Sequence, residues 1–374
     1  MSNQPAVIGP DGVARPYIGG QALIEGVMMR SPHAFAAVVR RKNGELVVRE
    51  EPMLDARRGK RALPFVRGVV ALVEALKLGS RALRFSAEIY ERDLEEEERA
   101  KRAHAAPSTL SLLSLPVIAL LTNEPELPPA SSKADKGKGA LTAISVVFAL
   151  GLFIALPQLF ASLTNSALGL GLDLRSATFQ VLTGAAKMLI LVGYMLLIRR
   201  VPEIYRVFQY HGAEHKSIYT YERGEALTVE NARLKTTLHP RCGTTFIVMV
   251  ALVSIVVFSA LAPILPNLGD NLLLGNLALL LLKLPFLPLI ASITFELQRL
   301  LARFGSRGPL RALLWPGFLV QKITTIEPDD EQLEVALGAL AVTLGREQSA
   351  EVEPNSERRY PNYAELLSGA AAAG

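Results

Sequence analysis

The run TFIVMVALVSIVVFSALAPIL, residues 245–265, holds no charged side chain and decides the class of fold. A helix needs about 20 apolar residues to cross roughly 30 Å of hydrocarbon, and this run supplies them. It reads as a membrane span. Three more segments have the same character. Residues 141–163 carry no charge, residues 177–198 carry only Lys187, and residues 271–295 carry Lys283 with Pro285 and Pro288 near the middle. The last reads as a full span or as a broken, re-entrant helix. Composition agrees, with 50% hydrophobic and 20% charged residues in a chain of 374. A mean hydropathy of +0.29 is too apolar for an ordinary soluble enzyme.

Basic residues orient the spans. Lys133, Lys136 and Lys138 precede the first, Arg199, Arg200 and Arg206 follow the second, and Arg299, Arg303, Arg307 and Arg311 follow the fourth. The loops on the other side, 164–176 and 266–270, contain only Arg175 among basic residues. The positive-inside rule then predicts a multi-pass inner-membrane protein, with both termini and residues 199–244 cytoplasmic. Its net charge of +5 is modest and gives no argument for nucleic acid. The single cysteine leaves no internal disulfide. The first thirty residues lack the apolar core of a secretory signal.

The rest is patterned as soluble protein. Residues 1–16 are polar and read as loose. Apolar runs around Asn43-Gly44 predict a hairpin, because both turn residues tolerate positive φ. Residues 64–92 form a basic amphipathic pattern, suited to an anionic membrane surface or to packing on its own domain. The expected fold is therefore an α-helical membrane protein with four transmembrane helices, plus a small α+β cytoplasmic N-terminal domain at 17–92. Residues 93–139 read as a linker, 199–244 as a cytoplasmic loop, 298–345 as a C-terminal segment and 346–374 as a disordered tail. Within the C-terminal segment, Pro316-Gly317 reads as a break, and Gln321 to Thr325 as a strand or turn.

Just before the opening run stand Leu238-His239-Pro240-Arg241-Cys242-Gly243, and upstream of them Phe208-Gln209-Tyr210-His211-Gly212-Ala213-Glu214-His215-Lys216. Three of the five histidines and the only cysteine fall in these two stretches. His211 and His215 are four apart, so a helix stacks them on one face. Glu214 gives the His-x-x-Glu-His order of a metallohydrolase motif, in which the carboxylate deprotonates water on the metal. Ile204, Phe208 and Ile218 lie on the same stripe, which turns the imidazoles inward. Buried imidazoles need partners, and a divalent metal is one. Hydrogen-bonded core histidines are the alternative.

Other candidates are weaker. Glu25 and Arg30 lie in the glycine-bracketed stretch 19–30, which reads as a buried strand or as a loop facing a site. Arg241 lies inside the His-x-x-Cys turn. Glu296 falls where the fourth span returns to the depth of the histidines, and is a candidate extra ligand. Lys187 and Lys283 are charges within apolar segments, where polar groups are costly.

Gly-Gly-Gln-Ala-Leu-Ile-Glu-Gly-Val-Met-Met-Arg (19–30), the two His motifs, Leu-Thr-Val-Glu-Asn (227–231) and Thr-Thr-Ile-Glu-Pro-Asp-Asp-Glu-Gln-Leu-Glu-Val-Ala (324–336) resemble the bacterial YqhQ-like family. The resemblance runs from about residue 17 to 340. It implies a multi-spanning membrane protein of a family of unknown function, labelled a predicted metal-dependent enzyme from the same residue types.

Two readings of function follow. In the first, a membrane-embedded hydrolase holds a divalent metal, zinc by its donor types, on His211, His215 and either His239 or Glu296. Glu214 is then the general base, Cys242 either completes the shell or stays nearby, and membrane lipids or an unidentified substrate or protein are the partners. In the second, His211, His215, His239 and Cys242 close a structural zinc site in a scaffold. Transport, resting on the two lysines, ranks last.

Overall fold

The computed structural model describes residues 6–53, 63, 65–102, 144–145, 147–264, 272–304, 309–348 and 356–372. Most of the expected 93–139 linker, the start of the first span and the 266–270 loop lie outside the described residues.

Four helices are long and apolar enough to cross a membrane. They are α2 (Val147–Ala167), α3 (Ala177–Ile198), α6 (Gly243–Leu261) and the composite Leu274–Leu301. The composite consists of α7 (Leu272–Lys283) and α8 (Leu287–Phe304), joined by a 3-10 turn at Leu284–Phe286. Pro285 and Pro288 lack the N–H groups that a regular helix would use there, which accounts for the irregular turn. Small residues let the helices approach closely. A Cβ on Gly184 of α3 would overlap Ile255 of α6.

The remaining elements form a second body around an antiparallel sheet. Its strands are β3 (Gly19–Leu23), β4 (Gly26–Arg30), β5 (Ala34–Arg40), β6 (Leu46–Pro52) and β7 (Ser356–Tyr360), in that order. Asn43-Gly44 turns the β5–β6 hairpin, with Gly44 at φ 88°. Both faces of the sheet are covered, so β5 is buried along six residues rather than alternating with solvent. Phe35, Ala37 and Val39 pack against Leu78, Ala82, Phe85 and Ile89 of α1 (Val66–Arg102). Ala36 and Val38 join the opposite core, with residues of α4 (Pro202–Glu222), α5 (Val229–Arg233) and α10 (Asp330–Gln348). Each fully buried Leu or Phe contributes about 1.5–3 kcal/mol relative to exposure.

Several expectations are corrected here. The segments 17–92, 199–244 and 298–345 do not stand apart. Each face of the sheet needs a helical cover, and the covers come from chain segments separated by helices of membrane-spanning length. The tail is not disordered in its described part. β7 pairs with β6 from Leu46↔Tyr360 to Glu50↔Ser356, and α11 (Tyr363–Ala372) packs Leu366 and Ala370 into the core beside α10. Polar composition concealed this edge strand, whose partner lies some 300 residues away in sequence. Residues 6–16 form a small hairpin, β1 (Ala6–Ile8) with β2 (Ala14–Pro16), its turn held by an Arg15–Asp11 pair. Pro316 does not break the chain but occupies the first turn of α9 (Trp315–Thr324), where its missing N–H costs nothing. Gln321 is therefore helical.

The ends of α3 and α8 and the start of α6 all meet this second body. α1 also touches the bundle directly, through Gly68 against Ser292 and Phe295 of α8.

Candidate metal centre

Pro202 opens α4, and Gly224, at φ 71°, follows its end. Between them, the buried face carries Tyr210, Ala213, Glu214, His215 and Ile218. His211 Nδ1 lies 2.9 Å from the Thr324 carbonyl, and His215 Nδ1 is hydrogen-bonded to the Thr237 carbonyl. A carbonyl only accepts, so each Nδ1 carries the proton and each Nε2 keeps a lone pair. This outer hydrogen bond is the one that metal-ligating histidines ordinarily make.

Both lone pairs face Cys242, the N-cap of α6. Its Sγ lies 3.1 Å from His211 Nε2 and 3.0 Å from Thr244 Oγ1, and accepts from the Thr244 backbone N–H at 3.4 Å. Burial pushes this thiol up, but His215 and the Thr244 hydrogen bonds outweigh burial and leave it below its ordinary value. The start of a helix also favours the thiolate. One ligand atom from each of His211, His215 and Cys242 lies within 4.8 Å of the other two. The donor set of two imidazoles and a thiolate suits zinc.

Gln321 braces the turn that supplies Cys242. Its Oε1 accepts from the His239 N–H at 2.8 Å, and its Nε2 donates to the His239 carbonyl at 2.8 Å and to Thr245 Oγ1 at 2.6 Å. His239 itself stands outside the cluster. Its ring is 5.5 Å from that of His215, but its Nδ1 accepts from the Arg241 N–H at 3.3 Å. The proton therefore sits on Nε2, which has no hydrogen-bond partner among the described residues and lies 3.6 Å from Glu222. Burial holds this imidazole down at about 4, so it is neutral. Neither nitrogen offers a lone pair to the cluster.

Glu214 is 5% exposed. Burial is the main cause that pushes its carboxyl up to about 8, with His211 pulling the other way and Cys242 adding slightly. It lines a cavity of about 180 Å³ together with His215, Cys242, Arg30, Arg241 and Gln21. A neutral acid beside a cavity and three donor atoms can exchange a proton with whatever occupies that cavity.

The other candidates go to separate places. Glu296 is not at the cluster: its carboxylate is held by Arg67 of α1, with Nε to Oε1 at 2.6 Å. Depth along the span suggested it as a ligand, but α1 crosses α8 at that level and supplies a cation. Glu25 sits in the β3–β4 turn at φ 51°, paired with Arg206 and accepting from the Tyr210 hydroxyl at 3.3 Å. It ties that turn to α4. Arg30 and Arg241 do reach the cavity. Arg30 lies 3.8 Å from Glu74, and Arg241 pairs with Glu222 and stacks over Tyr17.

Sequence reading passed over two glycines. A Cβ on Gly20 would stand 2.8 Å from the Glu214 carboxylate, so only glycine leaves that side chain its place. A Cβ on Gly212 would overlap the Ile326 carbonyl. That glycine lets residues 324–328 run against α4 and bring the Thr324 carbonyl to His211. The signal was present, since both lie inside quoted motifs. Lys216 is also buried, paired with Glu327 and donating to the Arg233 carbonyl at 2.9 Å.

Fold and site together define a mostly helical protein with four helices of membrane-spanning length and a His/Cys cluster beneath an α+β body. The chain matches a family model described as a protein of unknown function, DUF1385, over residues 63–346. It is 33% identical over 343 residues to the uncharacterized protein YqhQ of Bacillus subtilis (strain 168), covering 90% of this chain and 95% of that protein. No solved structure matches. The chain belongs to this YqhQ-like, DUF1385 family, as its motifs indicated.

Proposed function

We propose that the chain is a membrane-embedded, metal-dependent hydrolase whose site lies at the cytoplasmic face of a bacterial inner membrane. His211, His215 and Cys242 hold a divalent cation, zinc by preference, and Glu214 is the general base. The observation that carries this reading is the pair of Nδ1–H hydrogen bonds to backbone carbonyls, which leaves two Nε2 lone pairs facing a buried thiol. A cation there supplies Lewis acidity toward a carbonyl or phosphoryl oxygen and acidifies water. Glu214 takes a proton from the attacking water and returns it to the leaving group. Arg30 and Arg241, on the cavity wall, orient the polar end of an ester or amide substrate presented from the bilayer. Three ligands leave a position open, as catalysis requires.

Orientation follows from the basic flanks together with the single body formed by the N-terminal, middle and C-terminal soluble segments. One body keeps all three on one side.

The test is the metal content of purified protein, measured by elemental analysis. We expect about one zinc per chain in the wild type, lost in His211→Ala, His215→Ala and Cys242→Ser and kept in His239→Gln. Occupancy should fall as pH drops, since the ligands must shed protons to bind. Full metal content in the first three variants would refute the ligand set. Loss in His239→Gln equal to theirs would mean a closed four-ligand site.

A further inference from the structure

A second polar site lies between the membrane helices, away from the cluster. Lys187 of α3 and Lys283 of α7 both line an internal cavity of about 30 Å³, with Gln158 of α2 and Ser254 of α6. At about 1.5 Å per residue, these four side chains start roughly 10–17 Å from the helix ends farthest from the sheet-bearing body. They occupy one layer.

The hydrogen bonds leave this layer short of acceptors. Lys187 Nζ donates to Ser254 Oγ at 3.4 Å, and that hydroxyl donates to the Ala251 carbonyl. Lys283 Nζ donates to Gln158 Oε1 at 3.1 Å, while the Gln158 amide nitrogen is used by Asn276. Each ammonium offers three donors and finds one acceptor among the described residues. Lys283 is 5% exposed, and the Phe258 ring lies 5.2 Å from its Nζ. No Asp or Glu lines the cavity. Two amino groups share this space within hydrocarbon with no carboxylate among its lining residues, so a small anion there would hold both in the charged form.

We infer that Lys187 and Lys283 form a binding site for a small monatomic anion, chloride being the available one, within the helix bundle. The cavity has room for one or two water-sized occupants, which suits a monatomic ion. Such an ion accepts from both ammonium groups at once and pins α3 to α7. Its site is independent of the proposed metal centre.

The probe is chloride itself. Full-length protein in detergent, exchanged into gluconate, is titrated with chloride while the chlorine-35 linewidth is followed. We expect saturable excess broadening over empty micelles, reversed by bromide, and lost in Lys187→Gln and Lys283→Gln. No saturable broadening by the wild type overturns the proposal, as does equal broadening by both variants. Bromide-soaked crystals of the wild type give a reading that needs no variant. An anomalous peak between the two Nζ atoms supports the site, and its absence there refutes it.

Discussion

Replacing Glu214 with Gln keeps the size of the side chain and removes its charge. Metal-free wild type holds this carboxyl neutral from its ordinary value of 4.5 up to about 8, chiefly because burial strips the charged form of water. The group's folded value is raised, so folded protein binds a proton that unfolded chain has released throughout that interval. Wild-type stability therefore falls as pH rises from about 4.5 to about 8, and is flat above. At roughly 1.4 kcal/mol for each tenfold, the ceiling on this loss is about 5 kcal/mol. Glu214→Gln has no such group. Its stability should match that of wild type near pH 4.5 and exceed it increasingly up to pH 8. Denaturant or thermal unfolding of chelator-treated protein, followed at several pH values, reads the gap. Zinc should close the gap, because a cation beside the carboxylate favours the charged form. Function should meanwhile drop by about 10²–10⁴-fold, the usual cost of losing a general base. Curves for the two proteins that run parallel from pH 5 to 9 would show that the carboxyl is not buried and neutral. Full complementation by Glu214→Gln would remove the enzyme assignment.

Three other outcomes are expected. Gly20→Ala should keep its zinc yet lose function, because the added methyl takes space the Glu214 carboxylate occupies; unchanged activity would place that carboxylate elsewhere. Glu296→Gln should leave zinc content unchanged and lower unfolding stability by about 1–3 kcal/mol, since Arg67 loses its charged partner. Loss of zinc would return Glu296 to the ligand set. A cysteine placed at Leu170 should be labelled from outside intact cells and one at Glu230 should not, the native Cys242 being buried. Labelling at Glu230 would invert the membrane orientation.

Much of the fold was legible because two of its signals are local. Uncharged runs of about 20 residues and an Asn-Gly turn carry their meaning within a short window. The sheet was not legible as a whole. β7 reads as a polar stretch, Ser-Glu-Arg-Arg-Tyr, and becomes a strand only because β6 offers it an edge. Likewise the amphipathic reading of α1 was right in kind, but nothing in its own sequence says that Arg67 meets Glu296 across the α8 contact. At the site, His211 and His215 share a face by helical arithmetic alone. Cys242 reaches them for a reason outside the motif: Gln321, on a segment expected as strand or turn, holds its loop by both ends of one amide. His239 sits at ligand-like spacing from Cys242 and still turns away, because the Arg241 N–H takes its Nδ1.

The division of labour among the three donors has a mechanical consequence. His211 and His215 belong to α4, which is built into the soluble body through Tyr210, Ala213 and Ile218. Cys242 is the N-cap of α6, a helix of membrane-spanning length. The 3.1 Å between His211 Nε2 and Cys242 Sγ thus measures the position of one body against the other. The Thr324 carbonyl accepts from His211 Nδ1–H, and Thr324 belongs to the same helix, α9, as the Gln321 that holds the Cys242 turn. One ten-residue helix therefore fixes both sides of the cluster. A tilt of α6 that α9 follows leaves the ligand set intact, whereas one that α9 does not follow separates thiol from imidazole.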